Sequence, residues 1–313
     1  MKGRTEMSFE PLISKIVEKN NPTVMGLDPI LDYIPEGIKK KAVDEFGDSF
    51  KAAGEAIFEF NKALIDAVAD LIPAVKPQSA FYEMYGIEGM IALERTIDYA
   101  KKAGLYVILD VKRNDIGNTA GAYAKAFLGK TELFGHSESA SPVDCVTVNP
   151  YLGIDGIEPF IKEAVASDKA MFILVKTSNK SSGDFQDLDL GGKTLYRTVG
   201  ERVEEWGAPY LGESGYSPCG AVVGATYPAQ LTELRAALPH TFFLIPGYGA
   251  QGGAAKDIEG AFDRNGLGAI VNSSRALMCA YKKAGDDGSN LAKHTRDAVI
   301  LMRDDINSVR GAR

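Results

Sequence analysis

The sequence has few of the residues that most disulfide frameworks and metal sites require. It contains three cysteines and three histidines among 313 residues. An odd number of cysteines without metal-like spacing argues against a disulfide framework and against a zinc site. No Gly-x-Ser-x-Gly motif precedes a helix, and no set of Asp, Glu and His has metal-ligand spacing. We therefore expect no metal, and reduced, buried thiols at Cys145, Cys219 and Cys279.

Long apolar runs and basic clusters are also missing. No run approaches the ~18 apolar residues that a membrane span needs, and residues 1–12 lack the apolar stretch of a signal peptide. The net charge is −7, from 35 basic and 42 acidic side chains, without a Lys/Arg run. Nucleic-acid binding needs a basic surface that neutralises phosphates. These absences predict a cytoplasmic protein that binds neither membranes nor nucleic acid.

Eight short runs rich in β-branched residues recur along the chain and predict β-strands. They lie at residues 23–28, 73–77, 106–112, 145–149, 171–177, 220–226, 241–247 and 268–274. The stretches between them have the apolar spacing of helices. The clearest predicted helices lie at residues 51–72, 88–103, 154–167, 193–206 and 228–238, with a final one at 289–308.

This alternation of strands and helices implies parallel strands joined by helical crossovers. Near-continuous apolar strands suit a sheet that is buried on both faces. Eight units account for the whole chain, so we predict one α/β domain over residues 1–313, a (β/α)8 TIM barrel. An open, doubly wound sheet is the alternative, but no Gly-x-Gly-x-x-Gly motif follows the first strand.

Three connections are longer than this repeat requires. Residues 129–144 and 179–192 are polar and rich in Gly and Ser, and residues 29–50 lengthen the first connection. Loops that follow barrel strands lie over the active-site face and often act as lids. We expect a lid at 179–192, which directly follows a strand. For 129–144, a lid and a surface elaboration both remain open.

Charged side chains lie near the ends of otherwise apolar strands. Lys76 lies in the second strand, and Asp110 and Lys112 lie two residues apart in the third, on one face. Asp115 follows in the turn to the next helix, which it could also cap. Buried Asp and Lys side chains destabilise a fold unless they are paired. We therefore predict that these four residues form a net-neutral array at the barrel mouth, a candidate functional site.

A second group of residues is typical of an anion site. The seventh strand ends in the glycine-rich segment 245–253, and Ser273, Ser274 and Arg275 follow the eighth strand at a predicted helix start. Loops after strands seven and eight, with a helix N-terminus, form the recurring phosphate site of such barrels. The guanidinium group of Arg275 matches the geometry of phosphate oxygens. The sequence therefore predicts a small phosphorylated ligand.

These residues resemble a known family. The segment DVKRNDIGNT (110–119) is similar to the Asp-x-Lys-x-x-Asp-Ile-Gly-x-Thr signature of orotidine 5'-phosphate decarboxylases. Further segments follow in the family's order: GLDP (26–29), VKPQ (75–78), VKTSN (175–179), PGYGAQGG (246–253) and NSSRAL (272–277). The resemblance runs from residue 23 to about residue 280, and the longer insertions look like those of a larger bacterial subgroup.

The resemblance implies a cofactor-free decarboxylation of orotidine 5'-phosphate (OMP) to UMP and CO2, a step of pyrimidine biosynthesis, in a homodimer with shared active sites. Lys112 would protonate C6 beside Asp110 and Lys76, and Asp115 and Thr119 would reach into the other subunit's site. The remaining implied contacts are Asp28 with the ribose, Ser178 with the pyrimidine edge, and Gln251 and Arg275 with the phosphate. A phosphate-binding tyrosine of some relatives has no clear match, although Tyr248 is near.

Three other functions stay open at this point. A related barrel that decarboxylates or synthesises sugar phosphates shares the Asp-x-Lys-x-x-Asp string, but it needs Mg²⁺ and an acidic ligand where this chain has Lys76. A Schiff-base aldolase could use Lys112 or Lys176, although neighbouring aspartates disfavour a neutral amine. A non-catalytic nucleotide-phosphate binding protein would not need the complete charged array.

Overall fold

Eight parallel strands close into a barrel in the computed structural model, which describes residues 9–249 and 254–311. Each strand pairs with its neighbours in the sequence, and the last strand pairs with the first. The strands are β1 (Thr23–Leu27), β2 (Ala74–Pro77), β3 (Tyr106–Arg113), β4 (Cys145–Val148), β5 (Ala170–Lys176), β6 (Cys219–Val223), β7 (Phe243–Ile245) and β8 (Ala269–Ser273). The predicted (β/α)8 barrel is confirmed, and the open sheet is wrong.

Helices surround this barrel and connect its strands. They are α1 (Glu10–Lys19), α2 (Glu36–Phe46), α3 (Phe50–Val68), α4 (Ala80–Glu83), α5 (Gly86–Lys102), α6 (Gly117–Phe127), α7 (Ile154–Ala166), α8 (Leu195–Gly207), α9 (Pro228–Ala237), α10 (Ala255–Ile258), α11 (Arg275–Met278), α12 (Ala280–Lys283) and α13 (Leu291–Val309). The six predicted helices are present as α3, α5, α7, α8, α9 and α13, with ends shifted by up to four residues.

Helix α3 shows why these segments form helices. The Ser49 hydroxyl accepts a hydrogen bond from the Ala52 N–H at 3.2 Å, which satisfies a free donor of the first turn. The apolar stripe of α3, formed by Ile57, Phe60 and Leu64, is fully buried. The helix is therefore positioned by its cap and by its apolar face.

The amino-terminal end of the barrel is closed by α1, which the sequence pattern did not predict. The Phe9 ring, immediately before α1, lies 4.9 Å from the ring of Phe172 and 5.1 Å from that of Phe242. Leu12 and Ile16 of α1 are buried in the same cluster as the inward-facing strand residues. This apolar cluster fills the barrel interior away from its mouth.

The three long connections lie at different ends of the barrel. Residues 129–144 contain a small hairpin, Thr131–Glu132 with Ser137–Glu138, and they connect α6 to β4. They therefore lie at the amino-terminal end of the strands, so that a lid role for this segment is wrong. The segment 179–192 directly follows β5 and includes a 3-10 turn at Lys180–Asp184. The first connection contains α2 and a 3-10 turn at Leu31–Tyr33.

Two further expectations concern the cysteines, expected as reduced and buried thiols, and the helices, expected not to span a membrane. All three cysteines are free, and Cys145 and Cys219 are buried whereas Cys279 is half-buried. Within residues 9–249 and 254–311, every helix is too short or too polar to cross a membrane.

Candidate active site

A cavity of about 720 Å³ opens at the carboxyl ends of the strands. Six of the residues predicted from the sequence line it: Asp28, Lys76, Asp110, Lys112, Ser178 and Arg275. Further lining residues are Tyr33, Gln78, Phe81, Thr147, Leu174, Thr177, Asn179, Val222, Leu244, Pro246, Gly247, Tyr248, Asn272, Ser273 and Ser274. The closed barrel brings together side chains that lie up to about 250 residues apart in the sequence.

The Asp110 carboxylate lies between two ammonium groups. Lys76 Nζ is 2.8 Å from Asp110 Oδ2, and Lys112 Nζ is 2.6 Å from Asp110 Oδ1. The side chains of Lys76 and Asp110 are only 6% and 8% exposed, whereas that of Lys112 is 45% exposed. The array is therefore rooted in the barrel floor and presents Lys112 to the cavity.

Burial and charge act in opposite directions on this array. Burial alone would raise the pKa of Asp110, but the positive charges of Lys76 and Lys112 and their hydrogen bonds hold it well below its usual range. Burial alone would lower the pKa of Lys76, but Asp110, together with the charge of Asp28, raises it. Asp110 and Lys76 are thus both charged at neutral pH.

Thr147 of β4 joins the array, and the sequence analysis missed it. Its hydroxyl donates to Asp110 Oδ1 at 2.7 Å and accepts from the backbone N–H groups of Val111 and Lys112 at 3.0 and 2.9 Å. Thr147 is 1% exposed. It therefore fixes the carboxylate and the backbone that carries the lysine. Within the run CVTVN, it looks like any β-branched strand residue.

Lys112 reaches Asp110 through a distorted strand end. Its φ is +44°, in the left-handed region that non-glycine residues seldom adopt. The register between β3 and β4 also shifts between Leu109 and Arg113. The two side chains meet as predicted, but regular strand alternation does not bring them together. Backbone strain of this kind concentrates at functional sites.

Asp115 and Thr119 are not among the residues that line the cavity of their own chain. The Asp115 carboxylate accepts a hydrogen bond from the Ile116 N–H at 2.8 Å. No side-chain hydrogen bond caps the start of α6, so the alternative role of Asp115 as its cap is not supported. A Cβ atom on Gly156 would lie 2.8 Å from the Asp115 carbonyl oxygen, so this turn is packed closely against α7.

The predicted anion site is described only in part. Arg275 is exposed at the first position of α11 and lies in the cavity wall with Ser273 and Ser274. Gly247, at φ +98°, permits the turn after β7. Gln251 lies outside the described residues. The Tyr248 hydroxyl donates to Asp305, and both burial and this contact raise the pKa of Tyr248.

Two buried acceptors of the cavity wall lack hydrogen-bond partners among the described residues. They are Asp28 Oδ1 and Asn272 Oδ1. Buried polar atoms without partners are costly, and each calls for an explanation. Polar groups of a bound ligand would satisfy both. In the same described ranges, no group of three or more His, Cys, Asp or Glu side chains is arranged to hold a metal ion.

The fold and this site define a (β/α)8-barrel enzyme whose charged array and anion-type wall share one cavity. The family model described as "Orotidine 5'-phosphate decarboxylase / HUMPS family" matches residues 55–285. An orotidine 5'-phosphate decarboxylase of Rhodopirellula baltica is 46% identical over 299 residues, which cover 94% of this chain and 97% of that protein. The chain therefore belongs to the orotidine 5'-phosphate decarboxylase family.

Solved structures agree with this assignment. An OMP decarboxylase from Leishmania donovani matches with a TM-score of 0.71 and 32% identity, covering 97% of this chain and 99% of that one. The UMP synthase of the same organism matches with a TM-score of 0.75 and 34% identity. This chain is covered to 97% in that match and spans 57% of the longer UMP synthase chain.

Proposed function

We propose that this chain is a single-domain orotidine 5'-phosphate decarboxylase that converts OMP to UMP and CO2. The observation that carries this proposal is the buried Asp110 carboxylate held between Lys76 and Lys112 at the floor of the 720 Å³ cavity. The family membership supports the substrate, because the curated relatives carry the name of this activity. We also propose that the protein acts in the cytoplasm.

Loss of CO2 would leave a pair of electrons on C6 of the pyrimidine ring. The Lys112 ammonium group would stabilise this charge and then transfer a proton to C6, which completes UMP. One general acid contributes about 10²–10⁴-fold to a rate, which is small for so unstable a carbanion. The rest must come from preorganised electrostatics and from binding energy remote from the ring.

Asp110 and Thr147 would keep Lys112 in place during this step. Thr147 binds both the carboxylate and the Lys112 backbone, so the ammonium group need not search for its position. Asp110 remains ionised because its pKa is held well below its usual range by Lys76 and Lys112, despite burial. Its negative charge would lie beside the substrate carboxylate and favour the departure of CO2.

The remaining substrate contacts follow from the cavity wall. Arg275 would bind the 5'-phosphate at the start of α11, and Gln251 would join it from the loop after β7. The unpartnered Asp28 Oδ1 would accept a hydrogen bond from a ribose hydroxyl. Ser178, after β5, would contact the pyrimidine edge.

We further propose that two copies form a dimer with shared sites, in which Asp115 and Thr119 reach the partner's cavity. An exposed apolar surface on the connections after β2, β3 and β4 supports this arrangement. It comprises Met84, Ile87, Met90, Ile91, Ile116, Tyr151, Leu152 and Ile154. Ile116 adjoins Asp115 and is 54% exposed, and Ile87 is 80% exposed. Exposed apolar side chains concentrated on neighbouring connections are typical of protein interfaces. A twofold axis would place the turn that carries Asp115 opposite the partner's cavity.

The rival functions fit the same cavity less well. Sugar-phosphate chemistry with Mg²⁺ needs an acidic ligand on β2, and Lys76 occupies that place in an ion pair with Asp110. A Schiff-base lysine needs a free amine, whereas Lys112 and Lys176 both donate to carboxylates, at 2.6 and 2.7 Å. The decarboxylase therefore accounts for more of the cavity than either rival.

The direct test follows the ultraviolet absorbance of OMP mixed with the purified protein in the presence of EDTA. We expect the OMP absorbance to be lost and UMP and CO2 to accumulate in equal amounts. Turnover of OMP that stops with EDTA and returns with Mg²⁺ would overturn the cofactor-free mechanism. Tight UMP binding without any turnover would instead identify a binding protein.

A further inference from the structure

Lys176, the last residue of β5, is a buried charge that the proposed chemistry does not use. Its side chain is 0% exposed, and Nζ lies 2.7 Å from Asp187 Oδ1 and 3.1 Å from Ser182 Oγ. Nζ also lies 4.5 Å from the centroid of the Tyr227 ring. A lysine without partners at this depth would strongly destabilise the fold. Both polar partners belong to the segment 179–192 that follows β5.

This segment has little apolar burial to hold it against the barrel. Phe185, Leu188 and Leu190 are 66%, 50% and 54% exposed, and Ser182 is its one buried member. Side-chain polar contacts must therefore supply much of its attachment. The hydrogen bond of Lys176 with Ser182 is the most deeply buried of these contacts, and the ion pair with Asp187, which is 39% exposed, adds to it.

The same attachment lies next to the cavity wall. Thr177, Ser178 and Asn179 directly follow Lys176, and all three line the cavity. Gln186 accepts from the Thr177 N–H at 2.9 Å and donates to the Thr177 hydroxyl at 2.8 Å. The segment 179–192 is thus hydrogen-bonded through Gln186 to Thr177 in the cavity wall.

The register between β5 and β6 shifts between Leu174 and Lys176. The strand ladder therefore does not extend regularly into the wall residues. Gly224, which follows β6, approaches so closely that a Cβ atom there would lie 2.9 Å from Ser178. Ser178 is therefore packed against Gly224, and its carbonyl oxygen also accepts a hydrogen bond from the Thr226 hydroxyl at 3.3 Å.

We infer that Lys176 is a positioning residue, which through Asp187 and Ser182 holds Thr177–Asn179 in the cavity wall and thereby sets recognition of the pyrimidine half of the substrate. This inference rests on the proposed function, because it takes the ligand to be a pyrimidine nucleotide. Lys176 itself is buried behind the wall and is not among the cavity-lining residues. Its effect is transmitted by the backbone of its neighbours.

The test compares two ligands by calorimetry, UMP and ribose 5-phosphate, the second of which lacks the pyrimidine. Lys176→Met keeps the length of the buried chain and removes its charge. We expect UMP to bind about tenfold more weakly, the size of one lost hydrogen bond, and ribose 5-phosphate to change less than about twofold. Asp187→Asn, at a side chain that is 39% exposed, should give the same split with a smaller loss.

Lys169→Met is the matched control at the opposite end of the same strand. Lys169 Nζ donates to the carbonyl oxygens of Phe127 and Ser141, away from the mouth. This variant should leave both ligands bound as in the wild type. Equal weakening of UMP and ribose 5-phosphate in Lys176→Met, or no weakening of either, would overturn the inference. If Lys176→Met does not fold, Asp187→Asn decides by the same two criteria.

Failure of the proposed function gives a different result. In that case the wild-type protein itself would neither bind UMP nor consume OMP. A wild type that does both, beside variants without the ligand-specific loss, would refute the role of Lys176 alone.

Discussion

The two ends of the barrel are built from the same eight strands but bury different kinds of side chain. At the amino-terminal end, Phe9 packs on Phe172 and Phe242, and α1 covers the opening. At the mouth, Lys76 and Asp110 are buried as charges, and two acceptors of the wall lack partners among the described residues. One end is therefore filled by apolar packing, and the other keeps polar groups that line the cavity.

Strand β3 shows this change within a single chain segment. Tyr106 and Ile108 belong to the interior apolar cluster, and Asp110, on the same face, begins the charged array. Two residues further on, Lys112 leaves the regular strand with a φ of +44°. The barrel tolerates the buried charge of Asp110 and the strained backbone of Lys112 because the apolar packing at the other end already fixes the positions of the strands.

The largest expected effect comes from removing Lys112, the proposed proton donor at the mouth. Lys112→Ala should lower kcat by at least about 10²–10⁴-fold, because both the acid and its charge are lost. UMP should still bind and the protein should stay folded, because Asp110 keeps its contacts with Lys76 and Thr147. Steady-state kinetics and UMP titration measure this difference.

Lys101→Ala is the control, since it breaks an ion pair with Asp144 before β4, at the packed end. It should alter stability and leave kcat unchanged. Near-normal turnover of Lys112→Ala would show that another group protonates the product.

The second expected effect tests whether the mouth is completed by a partner. Asp115→Ala and Lys112→Ala should each be inactive, and mixing them under subunit exchange should restore about a quarter of wild-type activity. With crossed sites, both changes fall in one site of the heterodimer, and the other site is intact. Activity of the mixture against its ratio measures the recovery. Its absence, after exchange is verified by mass, would mean that Asp115 serves its own chain.

A third prediction concerns the packed end. Phe9→Ala should lower the free energy of unfolding by about 3–5 kcal/mol, because it leaves a cavity against two aromatic rings. The kcat of the folded fraction should stay unchanged, since Phe9 is 1% exposed at the end away from the mouth. Urea denaturation and kinetics together provide the measurement.

Phe134→Ala is the matched control on the hairpin at the same end. Its side chain is fully exposed, so stability should change by less than about 0.5 kcal/mol. A large loss of kcat in folded Phe9→Ala would contradict the separation of the two ends.

The smallest expected effect concerns Arg275, the proposed phosphate ligand in the cavity wall. Arg275→Ala should raise the KM for OMP by about 10–100-fold, the size of a lost charged hydrogen bond. Turnover of the phosphate-free nucleoside should be almost unchanged. Steady-state kinetics with OMP and with the nucleoside show whether Arg275 acts on the phosphate. An equal loss of kcat/KM on both substrates would mean that Arg275 does not bind the phosphate.

Much of the fold was predictable because its signals are local. Apolar runs of β-branched residues indicated all eight strands, and apolar spacing located the helices of five crossovers but not α6 or α10. Helix α1 was missed, because it is held by tertiary contacts: the preceding Phe9 packs on Phe172 and Phe242, more than 160 residues away, and Leu12 and Ile16 join the same cluster. The end of the barrel at which residues 129–144 lie depends on the short helix α6 before them, which the pattern did not delimit.

The site divides in the same way. The sequence by itself determined which charged residues fall at strand ends, because an Asp or Lys within an apolar strand needs a partner. Only the tertiary structure decided that Thr147 binds Asp110 and that Lys176 holds the segment beyond β5. A threonine in an apolar strand, and a lysine before a polar loop, have no local signal of their role. Their partners are fixed when the barrel closes and the segment folds back, because a hydrogen bond forms over about 3 Å whatever the distance along the chain.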